Sequence, residues 1–269
     1  NFINKISKYL DFSQEVEIAI ANGVTIDSAD NLVFADGNDQ AIALNSAGAA
    51  IFRAVDNISF DEDYTLTATA GNTTITADTS TAGSGVVTLD AIVATGRTLS
   101  VTGSDFTING AIAANIVEIN TTNGATGTIG LGNTDMVADL VTAELNRITP
   151  ATSLEIAAGG DIDVQGLAVT GVGENVGQIP HLILDSGEDV RFEGAASTVV
   201  ALTVEADVNV DVIENVSTSS GNLLINADFE SNGGGDVHIN NTHSIISAGD
   251  LTIGGQRIQF ENAGTLTAA

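Results

Sequence analysis

Gly249-Asp-Leu-Thr-Ile253 is one of four related stretches in the last quarter of the chain. The other three are Gly221-Asn-Leu-Leu-Ile225, Gly235-Asp-Val-His-Ile239 and Gly264-Thr-Leu-Thr-Ala268, and the four glycines recur at nearly equal intervals. In each stretch the third and fifth residues are apolar, so they point to the same face of an extended strand. The pattern predicts short strands that repeat along the chain, each preceded by a glycine turn.

Similar pairs of apolar residues, separated by one residue, occur at irregular spacing upstream. They are Val24/Ile26, Leu32/Phe34, Ile42/Leu44, Ile58/Phe60, Leu99/Val101, Phe106/Ile108, Val117/Ile119, Ile129/Leu131, Leu154/Ile156, Ile162/Val164 and Val190/Phe192. Short internal repeats are typical of a solenoid, in which no single unit buries its own apolar face. The sequence therefore predicts an all-β fold, a parallel β-helix (β-solenoid), over residues 16–269. With about 18 to 20 residues per coil and a rise of about 4.8 Å, it would form roughly 13 coils and a rod about 60 Å long.

Two segments depart from this pattern. In residues 1–15 the apolar side chains follow helical spacing, which predicts a short N-terminal helix or a capping and bridging segment beside the solenoid domain. In residues 134–148 apolar residues recur at steps of three or four before Pro150, which favours a helical excursion, with two irregular strands as the alternative.

Composition and charge exclude several classes of function. The chain has 35 acidic and 7 basic residues, a formal net charge of −28, and such a surface repels nucleic acid and anionic lipid. No apolar run approaches the roughly 20 residues that span a bilayer, so we expect no direct membrane insertion. Cysteine is absent, which excludes disulfides, thiolate metal sites and a cysteine nucleophile.

Two groups of acidic residues are candidates for a calcium site, because Ca²⁺ takes six to eight oxygen ligands in a flexible loop. The groups are Asp27, Asp30, Asp36 and Asp39, and Asp61, Glu62 and Asp63. Neither has the spacing of an EF-hand, and a solvated acidic turn is the alternative, so we expect weak structural calcium binding at most. The three histidines, His181, His238 and His243, are too few to predict a zinc site. No other cofactor is predicted.

Nothing in the sequence indicates catalysis. Glycosidases use a pair of facing carboxylates, but in a chain with 35 acidic residues some such pair is expected in any case and does not indicate catalysis. No Gly-x-Ser-x-Gly motif, phosphate loop or dinucleotide fingerprint is present. Five Asn-x-Ser/Thr sequons permit glycosylation without indicating it; they begin at Asn57, Asn72, Asn120, Asn215 and Asn240.

One resemblance adds to this interpretation. The stretch from Ala143 to Ile156, followed by Gly160-Asp-Ile-Asp-Val164, resembles a phrase common in filamentous haemagglutinin-type β-strand-repeat proteins, and similar phrasing returns at 248–253 and 262–268. The resemblance implies a right-handed parallel β-helix displayed outside the cell and used for adhesion or assembly. This chain departs from that family in being short and strongly acidic.

The open ends of a solenoid are the expected functional sites, because each presents unpaired strand edges. We expect an extracellular structural protein, a homo-oligomer or polymer that assembles into a surface filament, sheath or surface layer. The residues predicted to mediate assembly are Phe2, Ile3, Ile6, Leu10 and Leu266. The alternatives are an adhesin or passenger domain that binds a glycan or protein on another cell, and a β-sandwich pilin completed by a donated strand.

Overall fold

The computed structural model describes residues 16–35, 42–79, 84–90, 92–122, 127–132, 136, 138–169, 176–230, 234–240, 242–261 and 263–269. Within these ranges the chain winds into a parallel β-solenoid: each strand pairs in parallel with strands of the preceding and following coils. Each coil contributes up to three strands, one to each of three faces that we number I, II and III in chain order. The predicted fold class is confirmed.

Face I opens each coil. Its strands are β1 (Val16–Ile20), β4 (Ile42–Ser46), β7 (Tyr64–Ala68), β10 (Ile92–Thr95), the start of β13 (Ile112–Thr121), the start of β16 (Ile148–Ala158), β20 (Ser197–Val199), β23 (Val216–Thr218), β26 (Ser244–Ser247) and β29 (Thr265–Ala268). Between β16 and β20, the described residues at this position, 166–169 and 176–181, form no strand.

Face II is the continuous face of the solenoid. Its ten strands are β2 (Val24–Ser28), β5 (Ala50–Ala54), β8 (Thr73–Thr76), β11 (Thr98–Gly103), the ends of β13 and β16, β18 (Leu182–Ser186), β21 (Leu202–Ala206), β24 (Leu223–Ala227) and β27 (Leu251–Gly254). At about 4.8 Å between neighbouring strands, ten strands make a face about 43 Å long.

Face III consists of two sheets. The first contains β3 (Leu32–Phe34), β6 (Ile58–Phe60), β9 (Val86–Leu89) and β12 (Asp105–Ile108). The second contains β14 (Ile129–Gly132), β15 (Asp139–Leu140), β17 (Ile162–Gln165), β19 (Val190–Phe192), β22 (Val210–Val212), β25 (Asp236–Ile239) and β28 (Arg257–Phe260).

The predicted coil length was wrong for most coils. The coil from Leu182 to its partner Leu202 has the expected length, but those from Val16 to Ile42 and from Leu223 to Leu251 are longer. The four glycine stretches that suggested a short period lie on faces II, III, II and I, and other strands fall between some of them. The solenoid therefore has fewer coils than predicted and is a shorter rod.

The core consists of stacked columns of inward side chains. Strands alternate buried and partly exposed residues, as the β18 pattern shows for Leu182, Leu184 and Ser186, because successive side chains point to opposite faces. Parallel pairing places each inward residue over its counterpart: Leu184 pairs with Val204 and Val204 with Ile225, and all three are fully buried. Small branched side chains suit this thin core.

Aromatic side chains fill the core of the first two coils. Phe34 stacks on Phe60 with ring centroids 4.6 Å apart and planes 6° from parallel. Phe52 meets both rings edge-on, at 5.7 Å and 5.3 Å. Phe34 and Phe60 are paired residues of neighbouring strands, so the stack follows directly from the strand register.

Several corners of the rod are held by asparagine side chains that bridge successive coils. Between faces II and III, Asn31 Oδ1 accepts the Asn57 N–H at 3.1 Å, and Asn57 Oδ1 accepts the Val86 N–H at 2.8 Å. Between faces III and I, Asn215 Oδ1 accepts the Ser244 N–H at 2.8 Å. The sequon residues Asn57 and Asn215 are therefore structural residues of these corners.

The excursion at residues 134–148 is mostly not helical. Among its described residues, the chain forms the two-residue strand β15, which pairs with β14, and the single helical turn α1 (Thr142–Leu145). The buried Glu144 side chain accepts the Ile108 N–H at 2.8 Å and the Val141 N–H at 3.1 Å. Its carboxylate thus satisfies backbone groups where the face III sheets are interrupted, which spacing alone did not predict.

The predicted N-terminal helix or capping segment, residues 1–15, lies outside the described residues. The first described residues, Val16–Ile20, form β1.

Replacing Phe60 by alanine should destabilise the solenoid by about 3–5 kcal/mol, because a fully buried ring is lost and its stacking partner Phe34 faces a cavity. Chemical denaturation followed by circular dichroism measures the change. Val33→Ala is the matched control, since Val33 lies beside Phe34 but is 60% exposed. Equal losses in the two variants would contradict the column description of the core.

Candidate functional site: the open C-terminal coil

The last described coil is paired on one side only. Strands β27, β28 and β29 pair with β24, β25 and β26 below them, and no described strand lies above them. Their outer edges therefore present backbone N–H and C=O groups without strand partners, one edge on each face of the rod. An open row of such groups is a template for adding another strand.

The side chains that end the apolar columns of the core are exposed at this end. Ile258, Phe260 and Leu266 are 42%, 43% and 40% exposed. Their partners in the coil below are fully buried: Val237 under Ile258, Ile239 under Phe260 and Ile245 under Leu266. Leu251 and Ile253 on face II are only partly buried. If another coil lay above them, these five side chains would be buried in the core.

The N-terminal end of the described rod is better covered. Ile20 on face I is buried, and Ile26, Leu32 and Phe34 are partly buried. Among the inward residues of this coil, Val24 is exposed, at 37%. Among the side chains that the structure describes, the inward residues of the last coil are thus more exposed than those of the first coil.

The predicted assembly residues fall into two groups. Leu266 lies in the last described coil, on β29, where it pairs with the buried Ile245. Phe2, Ile3, Ile6 and Leu10 lie outside the described residues. Sequence reasoning missed Ile258 and Phe260, although Arg257-Ile-Gln-Phe260 shows the same apolar alternation between two recognised stretches.

The five candidate calcium ligands among the described residues do not form one cluster. Asp27 is outward on β2, with its carboxylate 3.0 Å from Arg53 Nε. Asp61 Oδ1 accepts the Glu62 N–H at 2.6 Å, which is the geometry of an acidic turn. Asp63 lies in this same turn, Asp30 lies at a different corner, and Asp36 and Asp39 are outside the described residues. In the part of the chain that the structure describes, no group of three or more histidine or acidic side chains could hold a metal ion.

A charged ribbon runs along the outside of face III. Arg191 on β19 lies 2.7 Å from Asp161, 2.7 Å from Asp189 and 3.5 Å from Asp163. It also reaches Asp211, at 4.0 Å. One guanidinium thus links carboxylates from three coils, and this network is a brace along the rod.

The ribbon continues to the open end. His238 Nδ1 lies 2.9 Å from Asp211 and its Nε2 lies 3.6 Å from Asp236. Arg257 on β28 binds the same Asp236 through Nε and Nη2, and this hydrogen bonding holds the Asp236 pKa below its ordinary value. Spacing gave no signal for the contacts between coils in this ribbon, because Arg191 and Asp161 lie 30 residues apart in the chain, and His238 and Asp211 lie 27 apart.

An acidic strip lies on face II. Glu118 pairs directly with Glu155, and Asp185 pairs directly with Glu205. Burial, followed by the neighbouring carboxylates, raises the pKa of Glu155, Asp185 and Glu205. Like charges directly opposite on adjacent strands are destabilising. The strip therefore costs stability at neutral pH.

Within the described residues, these features define a three-faced parallel β-solenoid with acidic flanks, whose last coil is paired on one side only. No protein-family model, curated protein or solved structure matches the chain. Within the described residues, no helix has the length and hydropathy of a membrane span.

Replacing Asp185 by asparagine should raise the melting temperature by a few degrees at pH 7. The pKa of Asp185 is raised in the folded chain, so its ionised form is penalised there and the penalty disappears as the carboxyl is protonated. The advantage of the variant should therefore shrink on acidification and vanish below the ordinary aspartate pKa of about 3.9.

Thermal unfolding at several pH values tests this. Glu188→Gln removes one charge at an exposed corner and is the control, for which we expect little change. A melting-temperature difference between Asp185→Asn and the parent that is independent of pH would refute the electrostatic explanation.

Proposed function

We propose that this protein is an extracellular structural protein, a self-assembling subunit of a surface filament, sheath or surface layer. The observation that supports the proposal is the C-terminal coil, where three unpaired strand edges surround core columns that end in exposed Ile258, Phe260 and Leu266. Covering this end with further β-structure would both bury the columns and pair the edges.

The charge distribution supports association along the rod axis over association side by side. The formal net charge of −28 is carried by the chain as a whole, and the acidic strip on face II adds local repulsion on one flank. The residues that end the columns are uncharged. Like-charged flanks repel each other while the apolar end is free to bind.

The second candidate is an adhesin or passenger domain that binds a glycan or protein on another cell. The resemblance of residues 143–164 to haemagglutinin-type repeats implies adhesion as well as assembly, and so supports this candidate too. It requires a rod that stays monomeric and binds a selective partner through side chains of a flank. In neither candidate does the chain act as an enzyme.

Replacing Leu266 by aspartate should weaken self-association about tenfold or more, because a charge is placed in the apolar column at the open end. Sedimentation equilibrium of the parent and the variant over a range of concentrations measures the effect. Thr267→Asp is the matched control, since it adds the same charge on the same strand but outside the column.

A parent chain that stays monomeric at every concentration, with and without divalent cations, would contradict the assembly proposal. Selective binding of such a monomer to a glycan or a cell-surface protein would favour the adhesin.

A further inference from the structure

Face I differs from the other two faces of the rod in its charge. The described strands of this face from β4 to β29 contain no charged residue; they are β4, β7, β10, the starts of β13 and β16, β20, β23, β26 and β29. Most coils carry a charged residue on face II, on face III or on both, as with Asp185 on face II and Asp163 on face III. In a chain with 35 acidic residues, the strands of one flank are thus free of carboxylates.

The outward side chains of face I are short. Alanine, serine, threonine and asparagine predominate, as in the outward pairs Ala43 and Asn45 on β4 and Thr65 and Thr67 on β7. Because these side chains are short and uncharged, the face is a flat sheet surface of low relief. Sheets pack face to face through such surfaces, about 10 Å apart.

Ile246 is an outward apolar side chain of this face and is 43% exposed. Its strand, β26, pairs with β23 on one side and with β29 on the other, so the exposure does not come from an unpaired edge. The residues that pair with it are Ser217 and Thr267. A partner that covered Ile246 would remove apolar surface from water, which favours association.

The uncharged face has the size that a stable dimer needs. From β4 to β29 it extends about as far along the rod as face II, about 43 Å, and a five-residue strand such as β4 spans about 16 Å. Its area, including the coil without a face I strand, is about 700 Å². Each partner contributes roughly 800 Å² to an interface of standard size.

A second copy of this chain is the partner that fits this face. Two chains with a formal net charge of −28 repel each other, and contact through face II or face III would bring their carboxylates together. Contact of face I with face I brings no charged strand residues together, and it turns faces II and III away from the partner. The two surfaces are also equally flat and equally long.

We propose that face I is a side-by-side interface between two copies of this chain, packed face I against face I about a two-fold axis. The interface goes beyond the proposed end-to-end assembly and does not depend on it. Because both copies use the same surface, side-by-side association stops at two. Rods that also join end to end then form a two-stranded filament and not a layer, since faces II and III stay charged.

Sedimentation equilibrium of Leu266→Asp measures the side-by-side contact with the end-to-end contact weakened. This variant should form a dimer and nothing larger, and its dissociation constant should fall about tenfold or more between about 0.01 M and about 1 M sodium chloride. Salt shortens the screening length from about 30 Å to about 3 Å, so the repulsion between two acidic rods is screened while the uncharged contact remains. Thr267 also lies outward on face I, so Thr267→Asp and Leu266→Asp are compared at low salt, where this contact is weakest.

Adding Ile246→Asp to Leu266→Asp should weaken the dimer about tenfold or more, because an apolar contact is lost and like charges enter the interface. Adding Leu224→Asp instead is the matched control. Leu224 is an outward, partly exposed residue of β24 on face II, in the preceding coil. The same exchange of a branched apolar side chain for aspartate should leave the dimer intact there.

A second pair of variants tests the first half of the face in the same Leu266→Asp background. Thr67→Asp on β7 should weaken the dimer, while Thr74→Asp on β8 places the charge on face II of the same coil and should not. Both threonines are outward and partly exposed. Thermal unfolding followed by circular dichroism checks that each variant is folded before association is compared.

The other outcomes separate the two proposals. A Leu266→Asp variant that stays monomeric at every protein and salt concentration overturns the side-by-side interface, while association of the parent leaves the end-to-end proposal standing. Equal weakening by Ile246→Asp and Leu224→Asp also overturns it, because the contact then does not lie on face I. A parent that forms the same dimer as Leu266→Asp and nothing larger removes the end-to-end contact instead.

A glycan is the other occupant that an uncharged face could serve. A monomer that binds a neutral polysaccharide such as dextran, and loses that binding in Ile246→Asp but not in Leu224→Asp, assigns face I to a glycan and overturns the dimer.

Discussion

Parallel pairing between successive coils is the constraint on which the rest of this structure depends. It fixes which inward residue lies over which, as in the column of Leu184, Val204 and Ile225. No coil has a core of its own, since its inward side chains are covered only by the coils above and below. The core is therefore a set of columns, and the last residue of each column is buried only if another coil covers it.

The corners and outer faces are arranged to keep that register. Asparagine side chains such as Asn31 and Asn57 bind the backbone of the following coil, so a corner is held by its neighbour and not by a disulfide. On face III, Arg191 links carboxylates of three coils. On face II, the paired Asp185 and Glu205 repel each other. The same strand register thus produces a stabilising ribbon on one face and a destabilising strip on another.

The open C-terminal coil is a direct consequence of this architecture. Ile258, Phe260 and Leu266 are ordinary core residues by type and register, and they are exposed only because no described strand lies above them. In the N-terminal coil, Phe34 stacks on Phe60 and is partly buried. An end of this kind favours the addition of more β-structure over the binding of a small molecule, since it offers edges and columns and not an enclosed pocket.

The sequence by itself determined the strands and the inward residues, because alternation of apolar and polar side chains is a local property of an extended chain. All eleven upstream apolar pairs, from Val24/Ile26 to Val190/Phe192, lie in strands, and Leu266 lies at the open end. Coil length, the assignment of strands to faces and the contacts of Arg191 and Glu144 were decided only by the tertiary structure. They depend on which distant residues of the chain become neighbours, and the corners that set those separations vary in length from coil to coil.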